Sequence, residues 1–562
     1  MRNFWLIALS ATVTGVLASA ADWPMTGGGP QRNGWARSER LLDKANVGTL
    51  TLLYKVRADN QSRGLNSLSA PIINGNLITY RGFKEMLIFG GSSDKVFSVD
   101  ADLNQPLWEA RMEYRGDKVP ANTPSAHCLD GSAPPVLMAG NSSALMHFAS
   151  EASHTPAAAG VKAQRRSPYF PPLSQSVFPL RPTTLTQLAA LYTISSDGNL
   201  HVLNSSTGKN LIRPVKFVPP NAKVTSLNIW ENIIYATTGD NCDGYRNALF
   251  AIDLLSREKK VELFVPQGGG FSGTGGTAIG KDGTVYVQVM YAPGDAAESH
   301  GETVVALTPK NLKVKDYFTP DTKPRDKSSA EVPGITPLVF SSFGKEMLLA
   351  GGTDGRLFLL DSKSLGGADH HTPLFASNPI AQGNKKRDNY GFRGTFSSWV
   401  DFNTGTTWFY APIAGPPHAS ARLGAAKNAP HDGSIVALKL AEQDGHPALQ
   451  TAWLSRDIAS PAPVVIANGM VFALSTGESP SVANRKHARY STAELEQVAG
   501  KATLFVLDGA TGKQLYSSGD SVSSSSPAGG LALANGRVYF ATRDNTVYCF
   551  GLVQNHSQLN EQ

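Results

Sequence analysis

A repeat restricts this chain more than any other feature. An apolar strand, a turn built on Asp and Gly, a second apolar strand ending in Asp or a substitute, and often a Thr-Gly-Lys turn recur along it in eight copies. The clearest copy runs Leu504-Phe505-Val506-Leu507-Asp508 into Ala510-Thr511-Gly512-Lys513, and the others lie near 86–100, 200–204, 233–253, 285–308, 347–361, 408–439 and 538–550. Most spacings are close to those of four-stranded propeller blades, which run roughly 40 to 50 residues. One open sheet of so many strands would leave its faces uncovered, whereas blades stacked radially bury each face on a neighbour and leave only short edges. The sequence therefore predicts an all-β fold, an eight-bladed β-propeller. Its last copy ends after a third strand, so the unassigned strand at 50–56 is expected to close the ring, with N- and C-terminal strands in one blade.

The chain starts with Arg2, an apolar run from Phe4 to Ala18, and the small residues Ala18-Ser19-Ala20. That is the pattern of a secretory signal peptide cleaved after Ala20. The apolar run is shorter than the roughly 20 residues a spanning helix needs, and no later segment is apolar enough to span. The expected organisation is a signal peptide at 1–20 and a propeller over 21–562, placed in the periplasm or secreted, with no membrane span after cleavage. A stretch at about 115–181, rich in Ala and Pro, is expected to be a loop insertion, with a lid over a central site as its functional alternative. The net charge of +6 is scattered, and the densest cluster, Lys385-Lys386-Arg387, is followed by Asp388. A nucleic-acid surface needs a basic stripe, so no nucleic acid is expected. Three cysteines leave at least one outside any internal bridge. Cys549 reads as a buried thiol, and a bridge between Cys128 and Cys242 stays open.

The opening Asp22-Trp23-Pro24-Met25-Thr26-Gly27-Gly28, with Asn46-Val47-Gly48-Thr49-Leu50 and the blade motif around 504–516, resembles the quinoprotein dehydrogenases and their relatives with pyrroloquinoline-quinone (PQQ) repeats. The resemblance spans the mature chain and is specific for fold rather than activity. It implies a PQQ-dependent dehydrogenase oxidising an alcohol or sugar hydroxyl, or a non-catalytic propeller that binds an envelope protein. Family enzymes hold PQQ at the ring's centre beside a calcium ion, with an Asp as base. Tyr235-Ala236-Thr237-Thr238-Gly239-Asp240-Asn241 looks like the family segment that gives calcium an oxygen ligand. The resemblance thus implies Asp240 as a metal ligand, with Asn241 beside it at the cofactor. The local alternative is an Asx turn between two strands. The adjacent cysteine pair of many alcohol-oxidising members is missing, as is the Cys-x-x-Cys-His motif of attached haem c. An enzyme of this kind would need a separate electron acceptor, and the catalytic residues stay unassigned.

Other motifs are weighed in the same way. Phe392, Arg393, Trp399 and Trp408 form an aromatic stretch with one cation, and Trp399 is the candidate for stacking on a planar cofactor, against burial inside a blade. Gly268 to Gly276 lacks the strand and helix of a nucleotide loop and reads as a link between blades. Asp369-His370-His371 and His431-Asp432 read as surface loops, since neither has a third ligand at a recognisable spacing. The run Ser523 to Ser526 reads as a loop entering the last blade.

Overall fold

The computed structural model describes residues 21–553, apart from 62–66, 80–81, 93, 113–135, 139–189, 240, 267–269, 272, 274, 290–302, 322–334, 383–389, 422–429, 480–489, 491 and 528. Eight antiparallel sheets form the blades, together with one short parallel pair of strands. In chain order the blades span 72–111, 136–216, 223–264, 278–318, 338–376, 391–454 and 465–517, and blade 8 joins 532–551 to 51–57. Every repeat read from the sequence falls in its own blade. The short helix Thr492–Val498 lies between two strands of blade 7. Among the described residues no helix is long and apolar enough to cross a membrane.

The ring closes as expected. Thr51–Arg57 pairs antiparallel with Thr546–Gly551 as the outer strand of blade 8, starting one residue later than the sequence suggested. First strands such as Val465–Ala467 and Ala532–Ala534 are wholly buried, whereas the fourth strands Gln105–Arg111 and Val314–Phe318 are half exposed. First strands of blades 8 and 1, 1 and 2, 2 and 3, 4 and 5, and 6 and 7 touch one another, which sets them around the axis. One expectation needs correction. The span 115–181 holds the strand Val136–Met138, which pairs with Ala190–Ile194 as the first strand of blade 2. It is too short to show an alternating pattern and follows Pro134-Pro135, so composition hid it. The rest of that span lies outside the described residues, apart from its place in the chain.

The Asp…Thr-Gly-Lys turns have a packing role between blades. In blade 7 the Asp508 carboxylate accepts hydrogen bonds from Ala510 N (3.0 Å), Thr511 N (2.9 Å) and the Thr511 hydroxyl (2.9 Å). Gly512 follows at φ +73°, and a Cβ there would lie 2.7 Å from the Trp453 ring of blade 6. Trp453 Nε1 in turn donates to Gly509 O at 2.9 Å. Trp108 of blade 1 does the same to blade 2, donating to Ser205 O at 2.7 Å beneath Gly208 at φ +68°. Only glycine tolerates that backbone with an indole against it. The repeated Trp and Gly therefore dock blade 6 on blade 7 and blade 1 on blade 2.

A strap made of residues 21–42 then runs round the axis and touches every blade. Ala21 N donates to Asn535 Oδ1 of blade 8 at 2.7 Å, and Trp23 exchanges backbone hydrogen bonds with Ile73 of blade 1 at 3.0 and 2.9 Å. Met25 shares an apolar cluster with Tyr192 of blade 2. Carbonyls of Pro30, Gln31, Asn33 and Gly34 accept from Ile279, Val339, Ser398 and Ile466, in blades 4, 5, 6 and 7, at 3.0, 3.2, 2.8 and 2.8 Å. Arg32 serves blade 3: it is 0 % exposed and donates to Leu227 O (2.6 Å), Ser226 Oγ (3.1 Å), Thr277 O (3.0 Å) and Thr26 O. Glu39 completes the circuit, accepting from Gly536 N of blade 8 at 3.0 Å.

Cys549 is free and fully buried, and burial pushes its thiol up to about 12. A thiol reagent at neutral pH is expected to leave Cys549 unmodified in the native protein and to label it in urea, read by mass spectrometry. Labelling of the native protein would show that blade 8 opens.

Candidate functional site at the axial connectors

Four antiparallel strands per blade put the first-to-second and third-to-fourth turns on one face of the ring. The second-to-third loops and the links between blades lie on the other, which we term the connector face. The strap covers the turn face. Connectors into blades 4, 5 and 6 converge on the connector face: Ile335–Thr336 and Gly394–Thr395 pair as parallel strands. Gly273, at φ +79°, lies so close to them that a Cβ would collide with Thr336 N and sit 2.8 Å from Gly394 O. Blades 4 and 6 are not neighbours, so connectors entering them meet near the axis. The described glycines of the run at 268–276, Gly270, Gly273, Gly275 and Gly276, thus lie in a blade link, as the sequence context implied.

Arg393 sits at this convergence, 9 % exposed. Its Nη1 lies 3.5 Å from Glu478 Oε2, in the second-to-third loop of blade 7, and Arg543 in the same loop of blade 8 holds Glu478 Oε1. Two guanidiniums therefore share one carboxylate. Arg393 Nε is buried with no hydrogen-bond partner among the described residues, as is Gln288 Oε1. Gln288 Nε2 donates to Gly351 O at 2.6 Å, and Phe392 packs on that same glycine, within 2.9 Å of an ideal Cβ. Buried polar atoms are almost always satisfied, so such orphans mark a place for water or ligand.

The residues singled out from the sequence do not gather in one place. Asp240 lies outside the described residues. Asn241 is exposed and left-handed (φ 45°), and it exchanges hydrogen bonds with Asn247: Asn241 N donates to Asn247 Oδ1 at 2.9 Å, and Asn247 N donates to Asn241 Oδ1 at 3.0 Å. That brace closes a six-residue loop between two strands of blade 3 and is longer than an Asx turn. Trp399 is in the first strand of blade 6, paired with Trp408, and its ring lies 3.3 Å from an ideal Cβ on Gly469 in a turn of blade 7. It stands with Trp35 and Phe402 towards the turn face, away from Asn241. Arg393, six residues earlier, is the one placed among the axial connectors, and its position in the link between blades 5 and 6 was the signal for it.

The histidine motifs are surface features, while the serine run is buried at Ser525 and Ser526. His370 stacks on Tyr317 at 4.0 Å, His371 Nδ1 lies 2.8 Å from Thr319 O, and His431 pairs with Asp432 at 2.9 Å. Ser523 lies in the link into blade 8, its hydroxyl 2.7 Å from that of Tyr548. Cys242 is disulfide-bonded, and with Cys549 free the remaining cysteine, Cys128, lies outside the described residues.

The two parts of a PQQ–calcium centre fit this site differently. Arg393 Nε, without a partner among the described residues and beside a second guanidinium, suits an anionic quinone. Calcium wants several oxygen ligands, but Glu478 is engaged by two arginines and the Asn241 oxygen by Asn247. Among the described residues no group of three or more His, Cys, Asp or Glu side chains is placed to hold a metal.

No protein-family model matches the sequence, and no curated protein matches it. Solved structures do. The quinohemoprotein alcohol dehydrogenase of Comamonas testosteroni shares 14 % identity, with 96 % of this chain and 82 % of that one covered at a TM-score of 0.56. A quinohemoprotein alcohol dehydrogenase of Pseudomonas putida HK5 shares 12 %, covering 96 % and 81 %, at 0.57. A europium-containing methanol dehydrogenase shares 11 %, covering 95 % and 98 %, at 0.52. At such identities the likeness is one of architecture: the chain has the eight-bladed propeller fold seen in quinoprotein alcohol dehydrogenases.

Proposed function

We propose that the protein is an exported, quinone-dependent dehydrogenase that oxidises an alcohol or sugar hydroxyl and delivers electrons to a separate acceptor in the periplasm or outside the cell. The observation that carries this reading is Arg393, buried at the axis with an unpartnered Nε on a propeller of quinoprotein architecture. PQQ, a planar tricarboxylate, would supply the two-electron chemistry when bound. Arg393 would bind a carboxylate or quinone oxygen, Arg543 and Glu478 would fix its guanidinium, and Phe392 would shield that side from water. Asp240, by its resemblance to the calcium-binding segment, is proposed as the metal ligand.

Titration of the purified protein with PQQ, with and without calcium, tests the reading by absorbance and by a dye-linked assay over alcohols and sugars. Arg393→Gln is expected to weaken PQQ binding roughly 10- to 100-fold, the range for one hydrogen bond to a charged group, and Asp240→Ala to abolish its calcium dependence. A second reading, a binding propeller of the cell envelope, is favoured by the saturation of Glu478 and Asn241. Stoichiometric PQQ binding that Arg393→Gln weakens supports the enzyme. Absence of PQQ binding supports the scaffold, whose partner protein is then sought by cross-linking.

A further inference from the structure

The turn face holds a second feature that the quinone site leaves unexplained. Where the strap meets blades 5 to 7, two lobes of about 630 and 720 Å³ run together, sharing Trp35, Arg37, Trp399, Val400 and Phe402. Such volumes fall in the range of small-molecule sites. Phe402 is 83 % exposed, and its ring centroid lies 5.8 Å from that of Trp35. The guanidinium of Arg37 lies over the other ring system, 4.3 Å from the Trp35 centroid. Water gains nothing from an exposed phenyl ring beside a half-buried indole, so the pair is a surface awaiting an apolar face.

The carboxylates that line the cleft are turned to backbone groups and not to its arginines: Asp22 accepts from Gly75 N at 2.7 Å and Glu346 from Lys281 N at 3.0 Å. Lys44 is paired with Asp508 at 2.7 Å. Asp401 is turned to its own loop, accepting from Asn403 N at 3.0 Å and from the Thr404 hydroxyl at 2.9 Å. Arg37 and Arg40 have no ion-pair partner among the described residues, and Arg40 donates only to Glu39 O, at 3.5 Å. Two aromatic faces beside two uncompensated guanidiniums select a ligand that has both a C–H face and an acid group.

We propose that this cleft binds an anionic oligosaccharide, with a sugar ring stacked on Phe402 and Trp35 and its carboxylate held by Arg37 and Arg40. A sugar ring offers apolar C–H groups to an aromatic face and hydroxyls to exposed polar groups such as Asn403, while the acid takes a bidentate guanidinium. The site is on the face opposite Arg393, so it stands or falls independently of quinone binding.

The test uses the mature full-length protein and calorimetry with three probes: trigalacturonate, neutral maltotriose, and the acyclic tricarboxylate tricarballylate. Trigalacturonate is expected to bind more tightly than either control, and Phe402→Ala and Arg37→Ala are each expected to weaken it about tenfold, a size set by one aromatic or one charged contact. Phe402 is exposed, so its variant is expected to melt with the parent, which separates binding from folding. The proposal is overturned if trigalacturonate fails to bind, if either control binds as tightly, or if both variants bind it as the parent does.

Discussion

Arg32→Ala is expected to destabilise the protein by about 3–5 kcal/mol, read as a fall in the urea midpoint. The side chain is fully buried, and its guanidinium joins Leu227 O, Ser226 Oγ, Thr277 O and Thr26 O without a carboxylate partner. Burial lowers its proton affinity to about 9, so at neutral pH it still carries its charge. Truncation does two things at once: it leaves a cavity the size of the longest side chain, and it strips several buried acceptors of their donor. Asn228 Nδ2 also donates to Thr277 O, at 2.9 Å, and Ser226 Oγ to Leu227 O, at 3.4 Å, so two acceptors keep a partner and the loss is smaller than four separate hydrogen bonds would give. The effect extends beyond blade 3, because the strap through Arg32 links blades that are otherwise joined only to their neighbours. Limited proteolysis of the variant is expected to cut within 21–42 before any blade strand. A midpoint within about 1 kcal/mol of the parent, with the strap still protected, would show that the blades hold the ring without it.

How much of this was legible in the sequence follows from which contacts depend on side-chain identity. Blade number, ring closure and the Asp…Thr-Gly turns were legible, because each rests on a repeated residue type in a repeated place, as with Asp508 and Gly512. The strap was not, although its opening residues carry the family resemblance. Arg32 bonds mainly to backbone carbonyls some 200 residues away, such as Leu227 O, and a carbonyl leaves no mark in a sequence. At the candidate site the stretch 392–408 drew notice for its aromatics, so Trp399 was chosen over Arg393. The choice needed a sense of face: Arg393 precedes the inner strand Ser397–Asp401 and stays with the connectors, while Trp399 is carried along it towards the turns. Three residues of extended chain separate a connector from the strand interior, and composition does not record the difference.

Glu85→Gln is expected to remove a pH dependence of about 3 kcal/mol from folding. Glu85 lies between blades 1 and 8, with Arg537 Nη1 at 3.5 Å and the Tyr539 hydroxyl at 3.5 Å, near Asn535, Asp102 and Glu39. Burial raises its proton affinity from 4.5 to about 7, against the pull of Arg537, while Asp102 and Glu39 push the same way as burial. The sign follows from the two states. Below the unfolded value both are protonated and no charge is buried, so the stability linked to Glu85 is complete. As pH rises towards 7 the unfolded chain ionises freely while the folded one resists, and that stability is lost; above 7 both are ionised and the loss is constant. Carboxylates such as Asp253 and Asp508, whose partners lower them, act in the opposite sense in more acid solution. The parent alone would mix these effects, and the difference between parent and Glu85→Gln isolates one of them. Urea midpoints compared from about pH 4 to about pH 8 are expected to show the variant gaining on the parent by that amount. A constant difference would mean that Glu85 ionises in the folded ring as freely as in the open chain, and that the joint between blades 8 and 1 admits water.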